Sequence, residues 1–133
     1  MTADASAPRA RFPAVPPPAS KYYPPLRDLC LSMPGAWEDY PWGETVFKGP
    51  NNKIFASFYQ REDGALGVGM RVSLAEQGAV TQIPGISVAA YSGKYGGITA
   101  IVSDEASYEL VRDLILISYH HVNPRKKARA RRG

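Results

Sequence analysis

Cysteine and histidine are scarce in this sequence of 133 residues, which has one cysteine and two histidines. A single cysteine excludes an internal disulfide and a zinc site built from several thiolates. Cys30 lies in an apolar helical context, so we interpret it as a small buried hydrophobe and not as a nucleophile. His120 and His121 are neighbours, and neighbouring side chains on a helix point about 100° apart. The two imidazoles therefore cannot hold one metal ion together, and we expect neither a metal site nor a cofactor.

Motifs for catalysis are also missing. With both histidines at 120–121, no Ser-His-Asp or Cys-His arrangement has an obvious base. The glycine clusters at 67–69 and 93–97 are not phosphate loops, because neither is followed by Lys-Ser/Thr and a helix. Glu38 and Asp39 are adjacent carboxylates, but neighbours on an irregular loop need not converge on a substrate. The sequence favours a non-enzymatic binding protein, and an enzyme that uses Glu38 and Asp39 is the less favoured alternative.

Long hydrophobic runs are absent as well. A membrane-spanning helix needs roughly 18 or more apolar residues, and the longest candidate, around Leu114 to Ile117, is interrupted on both sides. The first residues lack the basic start and apolar segment of a secretory signal. We therefore expect no membrane partner and a cytoplasmic location.

Positive charge is unevenly distributed along the chain. The net charge is +4, from 16 Lys+Arg and 12 Asp+Glu. The first twenty and last nine residues contain eight of these bases and one acid, so residues 21–123 keep 8 bases and 11 acids, a balance of −3. A basic tail can bind DNA, RNA or anionic lipid without sequence preference. The alternative is a tail that only keeps the protein in solution.

Composition divides the chain into three regions. Residues 1–20 are rich in proline and alanine and poor in large apolar groups, which predicts a disordered arm. Residues 21–123 have the composition of a folded domain. Residues 124–133 form a basic tail that we also expect to be disordered.

Hydrophobic periodicity and turn residues predict an α+β domain. A helix is expected from about 24 to 33, a short one from Ser73 to about Val80 with a capping box to Glu76, and a final one of about 16 residues after Ser103 or Asp104. The final helix can bury Leu110, Val111, Leu114, Ile117 and Tyr119. Strands are predicted at 45–48, 53–59, 65–71, 86–91 and 98–102. We expect an antiparallel sheet with the N- and C-terminal helices packed on one face.

Between the first helix and the first strand lies an aromatic segment, 36–43. Its prolines and glycines predict irregular structure. Trp37, Tyr40 and Trp42 are expected to pack between the first helix and the sheet. A recognition patch formed by these three aromatic side chains is the alternative.

A specific motif begins in the first helix. Residues 29–43 read Leu-Cys-Leu-Ser-Met-Pro-Gly-Ala-Trp-Glu-Asp-Tyr-Pro-Trp-Gly, which resembles the opening signature of the MmcQ/YjbR family, approximately L-x-L-P-G-A-x-E-x-x-P-[FW]-G. The resemblance continues through Val46-Phe47-Lys48, Tyr91 with Gly93, and Ser118-Tyr119, and covers about residues 24–123. Where many members have an aromatic residue, this chain has Gly96-Gly97. The usual lysine after the third strand is Arg71 here, which keeps the charge.

The resemblance implies a frataxin-like α+β fold with one sheet face exposed. By analogy with double-wing transcription factors, it also implies DNA binding across that face. Arg71 is the strongest candidate for a contact with DNA, because strand alternation places it on the sheet face opposite Leu66, Val68 and Met70. The predicted nucleic-acid-binding residues are Lys48, Lys53, Arg71, Tyr91, Lys94, Arg125, Lys126, Lys127, Arg129, Arg131 and Arg132. The hypothesis is therefore a low-specificity DNA-binding protein, and the alternative is a protein- or small-ligand-binding module without a nucleic-acid role.

Overall fold

In the computed structural model, residues 10–124 are described. This part of the chain forms three α-helices and six strands, joined by turns that include two short 3-10 turns. The helices are α1 (Tyr23–Ser32), α2 (Leu74–Val80) and α3 (Glu105–Val122). The strands are β1 (Trp37–Asp39), β2 (Thr45–Lys48), β3 (Ile54–Gln60), β4 (Leu66–Arg71), β5 (Ile86–Val88) and β6 (Gly97–Val102). The 3-10 turns are Pro41–Gly43 and Gly93–Tyr95.

The strands form one antiparallel sheet in the order β1-β2-β3-β4-β6-β5. Helices α1 and α3 pack on one face of this sheet, where Tyr23 of α1 meets Phe58 edge to face and Tyr119 of α3 meets Phe55 in the same way. The expected α+β fold, with the terminal helices on one sheet face, is confirmed. No helix among residues 10–124 is long and apolar enough to cross a membrane.

A β-bulge interrupts the pairing of β2 with β3. Phe47 pairs with Ala56 but Lys48 pairs with Ile54, so Phe55 is an extra residue in its strand. A bulge breaks strict alternation, which allows consecutive side chains to face the same side. Phe55 and Ala56 are accordingly both buried in the core.

Several features of the fold differ from the sequence expectation, and one is the strand predicted at 86–91, which ends at Val88. The segment 36–43 was expected to be irregular, but Trp37–Asp39 pairs with β2 as an edge strand before the chain turns at Pro41. In α3, Ile117 was expected to be buried but is 40% exposed, while Ile115 and Ser118 are fully buried. Ser118 occupies the inner face because its hydroxyl has hydrogen-bond partners there, a reason that apolar periodicity does not reveal.

Helix capping agrees with the sequence prediction. Ser73 caps α2, and the capping box with Glu76 is present. Asp104 caps α3, with Ser107 completing a reciprocal pair of hydrogen bonds. The two caps fix the start of each helix relative to the strand that precedes it.

Candidate functional site

The face of the sheet opposite α1 and α3 carries a groove of about 680 Å³. Its middle is lined by small side chains, including Ser57, Gly69 and Thr99. A Cβ added to Gly69 would lie 2.5 Å from Ser57 Oγ, and one added to Gly67 would lie 2.1 Å from the Tyr59 ring. The Tyr59 ring therefore lies directly over Gly67, and a side chain at position 67 would displace it. The small side chains thus form a low floor in the middle of the groove, with larger side chains on either side of it.

Two exposed aromatic residues stand at opposite sides of the groove. Trp42 comes from the connection between β1 and β2 and is 87% exposed, and Tyr91 comes from the connection between β5 and β6 and is 96% exposed. Trp42 adopts a left-handed backbone conformation, with φ of 54° and ψ of 26°. Such a conformation costs a bulky L-residue on the order of 1 kcal/mol. Trp42 was expected to pack between α1 and the sheet, and that expectation is wrong.

The other two aromatics of the 36–43 segment lie deeper in the structure. Trp37 is buried, and its Nε1–H donates to the Gly49 carbonyl oxygen at 3.2 Å. Tyr40 is half-buried. Only Trp42 is directed away because it follows Pro41 in the 3-10 turn, where the chain reverses before β2.

Arg71 lies at one end of the groove, on the face predicted from its alternation with the core residues of β4. Its guanidinium carbon is 5.9 Å from the centre of the Tyr95 ring, and Lys94 Nζ is 5.3 Å from the same ring. Tyr95 is 59% exposed. Two cations therefore share one exposed aromatic ring, within the range of cation–π attraction.

Lys48 was predicted to contact DNA, but its charge is neutralised by an ion pair within the protein. Its Nζ lies 3.0 Å from Asp39 Oδ2 and 4.9 Å from the centre of the Trp37 ring. Asp39 Oδ1 accepts hydrogen bonds from the backbone amides of Arg11, Phe12 and Tyr40. Burial raises the pKa of Asp39, but the hydrogen bond from Lys48 and those from the three backbone amides together outweigh burial, so the pKa lies below its ordinary value. We therefore leave Lys48 out of the proposed binding surface.

Lys53 lies outside the groove, in the turn between β2 and β3. This turn contacts the end of α3, where the side chain of Asn51 donates to the Val122 carbonyl oxygen. The predicted tail residues Arg125, Lys126, Lys127, Arg129, Arg131 and Arg132 lie outside the described residues, as do residues 1–9 of the predicted arm. Pro124, from which the tail continues, is thus close to the turn that carries Lys53.

Comparison with known proteins identifies the family. The model of the YjbR family matches residues 31–121 of this chain. The chain belongs to the YjbR family. None of the curated proteins matches it.

Two solved structures resemble this YjbR-family chain. The Deinococcus radiodurans protein DR2400, a DUF419 domain, is 22% identical over 77% of this chain and 80% of its own, with a TM-score of 0.65. A protein from Pseudomonas syringae is 20% identical over 70% of this chain and 92% of its own, with a TM-score of 0.57. At these identities the likeness concerns the fold.

The YjbR-family domain does not bring Glu38 and Asp39 together. Successive strand residues point to opposite faces, and the two carboxylates have separate partners. Glu38 Oε1 lies 2.8 Å from Arg27 Nη2 on α1, whereas Asp39 binds Lys48. Neither carboxylate lines the groove. Cys30 is fully buried, and burial raises the pKa of its thiol.

Charge is segregated along the strands of the YjbR-family domain. Arg71, Lys94 and Lys53 lie at the end of the sheet where α3 finishes, because Arg71 N–H donates to Ser118 Oγ and Asn51 binds Val122. The opposite end holds the turn between β3 and β4 and the start of α3. Its acidic residues include Glu62, Asp63, Asp104 and Glu105, and Lys21 and Arg61 lie there as well. Glu76 of α2 interacts electrostatically with His121 near the end of α3. Within a domain whose balance is −3, the three bases Lys53, Arg71 and Lys94 thus form a local collection, the basic end.

The sequence pointed to most of the basic end but not to the whole groove. Arg71, Tyr91 and Lys94 were predicted, and the structure places Arg71 and Tyr91 in the groove lining and Lys94 beside Tyr95. Trp42 was expected to pack between the first helix and the sheet, and a recognition patch with Trp37 and Tyr40 was the alternative. The Pro-Trp-Gly sequence was the available signal, since Pro41 and Gly43 force a reversal that can leave the residue between them exposed.

Proposed function

We propose that this YjbR-family protein binds nucleic acid with low sequence specificity, through the basic end of the sheet and the basic tail. The observation that carries the proposal is the collection of Lys53, Arg71 and Lys94 at the sheet end from which the tail continues. Cations that neutralise phosphates supply most of the affinity in non-specific binding.

The availability of these cations supports the proposal. Arg27, Lys48 and Arg61 form ion pairs with Glu38, Asp39 and Asp63. Within residues 10–124, Lys53, Arg71 and Lys94 are in none of the ion pairs. Their charges can therefore serve an anionic partner. The acidic opposite end would repel phosphates and orient that partner toward the basic end.

Salt-titrated binding to labelled DNA tests this function. The full chain is compared with a chain ending at Pro124, which keeps the contacts of Val122 and Asn123 with the turn at 49–52. The logarithm of the binding constant falls linearly with the logarithm of the salt concentration, and each neutralised phosphate contributes about 0.9 to this salt slope. Removing the six tail cations should therefore lower the salt slope by several units. No binding by the full chain at low salt would refute the proposal.

The basic end is tested separately by two matched variants. Lys94→Gln and Lys21→Gln remove the same charge, and each ammonium lies 5.3 Å from a tyrosine ring. Lys21 lies near Asp63 at the acidic end. Lys94→Gln should lower the slope by up to about 1, and Lys21→Gln should leave it unchanged. Equal slopes for the two variants would count against the basic end.

The proposal assigns binding without catalysis. Supporting it, Glu38 and Asp39 are held apart, and among the described residues no three His, Cys, Asp or Glu side chains are grouped to hold a metal ion. Detection of turnover that depends on Glu38 would overturn this part.

A small-ligand-binding module is the second candidate. The groove favours it, because 680 Å³ is within the usual range of ligand pockets and, of residues 10–124, the charged ones that line it are Glu44 and Arg71. A thermal-shift screen of the full chain against anionic aromatic compounds tests it. A shift that Arg71→Gln abolishes, without DNA binding, would favour this candidate over the first.

A further inference from the structure

The exposed aromatic side chains of the groove lie outside the core. Trp42 and Tyr91 are 87% and 96% exposed, so neither contributes appreciable burial to the core. Trp42 is also held in a conformation that bulky L-residues rarely adopt. Strain at an exposed residue that stabilises nothing nearby points to function.

We infer that the groove binds an unpaired segment of nucleic acid, whose bases stack on Trp42 and Tyr91 while Arg71 and Lys94 contact phosphates. This inference rests on the proposed function and specifies the partner at the sheet face. Single-strand sites combine aromatic platforms with cations that follow the backbone. The groove has both components, with Trp42 and Tyr91 as the aromatic residues and Arg71 and the neighbouring Lys94 as the cations.

The groove extends across several strands of the sheet. From β2 to β6 there are three strand spacings of about 4.8 Å, roughly 14 Å in all. The low floor of Ser57, Gly69 and Thr99 lets a flat group approach the sheet backbone between the walls. A base can thus enter edgewise or lie against either aromatic wall.

The aromatic rings also distinguish an unpaired strand from a duplex. In a duplex the base faces are stacked on one another, and an enzyme or binding protein reaches them only after unstacking. The rings of Trp42 and Tyr91 could therefore stack on the bases of a single strand but not on those of an intact duplex. Among the described residues, Arg71 is the one cation that lines the groove, whereas a duplex presents two phosphate backbones.

Charge sets the direction of the bound strand. Arg71 lies at the basic end of the groove, next to Lys94 and Tyr95. The exposed Glu44 lies near Trp42 and repels phosphates there. The phosphates should therefore lie toward Arg71, with a base toward Trp42.

Tryptophan fluorescence of the full chain tests the inference, because the sequence contains only Trp37, which is buried, and Trp42. A ten-residue oligothymidylate, a duplex of the same length and thymidine monophosphate are titrated in parallel. We expect the oligothymidylate to quench emission in the full chain and not in Trp42→Phe, which retains a stacking ring. Anisotropy of labelled oligothymidylate measures affinity independently.

Substitutions then separate stacking from charge. Tyr91→Ala should weaken oligothymidylate binding roughly fivefold to a hundredfold, and Tyr91→Phe should retain it. Leu74→Ala, at an exposed apolar residue of α2, is the control and should have no effect. Equal affinity for oligothymidylate and thymidine monophosphate would overturn the inference in favour of a small-ligand site.

The experiment distinguishes failure of the inference from failure of the proposed function. Binding that depends on the tail, without quenching and without any effect of Tyr91→Ala, would overturn the groove assignment alone. Absence of binding to both the single strand and the duplex at low salt would overturn the proposed function and the inference together.

Discussion

Ser118 Oγ donates a hydrogen bond to the Phe55 carbonyl oxygen at 2.6 Å. The same hydroxyl accepts one from the Arg71 N–H at 2.9 Å. Phe55 is the extra residue of the β-bulge, and Arg71 ends β4. One buried side chain of α3 thus satisfies the backbone of two strands and fixes the end of the sheet where the proposed phosphate contacts lie.

Ser118→Ala should destabilise the fold. The substitution leaves the Phe55 carbonyl and the Arg71 N–H unpaired in a buried position, which costs about 1–3 kcal/mol. Ser87→Ala, on the exposed strand β5, is the control. Denaturant unfolding measures both variants. Equal free energies of unfolding for the two would show that the Ser118 hydrogen bonds are not stabilising.

Asp39→Asn should destabilise the fold more strongly. Asp39 is fully buried and its carboxylate has four donors, so the variant leaves the Lys48 ammonium without a counter-charge. Breaking a buried ion pair from one side costs about 3–5 kcal/mol. Asp28→Asn on the exposed face of α1 should cost little. Thermal unfolding of the three proteins at neutral pH provides the measurement.

Acid should remove the contribution of Asp39. Its pKa in the folded protein lies below its ordinary value, so its contribution is complete above the unfolded pKa of about 3.9. The contribution falls as the pH drops through the lower folded pKa. The stability difference between the native chain and Asp39→Asn should therefore shrink below about pH 4. A difference that is constant down to acid unfolding would contradict the assignment.

Gly96→Ala should be far more damaging than Gly85→Ala. Both glycines have positive φ, 92° and 90°, so alanine is strained at either position. Only at Gly96 would the new Cβ meet the backbone, 1.9 Å from the Val72 carbonyl oxygen. Chemical denaturation should show a loss of about 1 kcal/mol for Gly85→Ala and a clearly larger one for Gly96→Ala. Similar losses would mean that the backbone shifts freely here.

The two tryptophans should have different emission. Trp37 is buried beneath Lys48, whereas Trp42 is 87% exposed. Trp42→Phe should therefore leave emission at shorter wavelength that resists an aqueous quencher, and Trp37→Phe should leave emission at longer wavelength that is quenched readily. Emission spectra and acrylamide titrations provide the measurement. If Trp37→Phe does not fold, the emission of Trp42→Phe can still be compared with that of the native chain.

Local patterns in the sequence predicted most of the elements. Residues 45–71 alternate and are separated by turn residues, which indicated the three-stranded meander. Ser73 with Glu76 indicated the start of α2. These signals are local, because period, turn chemistry and caps involve residues within a few positions of one another. Strand β1 was missed because its three residues pair only through contacts with β2, which the aromatic segment does not reveal.

The candidate site was predicted in part. Alternation along β4 placed Arg71 on the open face, and the structure agrees. Lys48 is also a basic residue at the end of a strand, yet Asp39 neutralises it. That pairing depends on the register of β1 against β2, in which Trp37 lies opposite Lys48. No local sequence pattern predicts how β1 is aligned with β2.

The sequence by itself determined the α+β class, the caps, the family motif and the location of the basic tail, since each depends on composition or on near neighbours. Only the tertiary structure decided which cations are available, that Trp42 faces the solvent and that Ser118 is buried. Those properties depend on which distant segments meet. Whether a charged side chain can bind a partner depends on whether the fold places an opposite charge beside it. Whether a buried hydroxyl is hydrogen-bonded depends in the same way on the groups that the fold places around it.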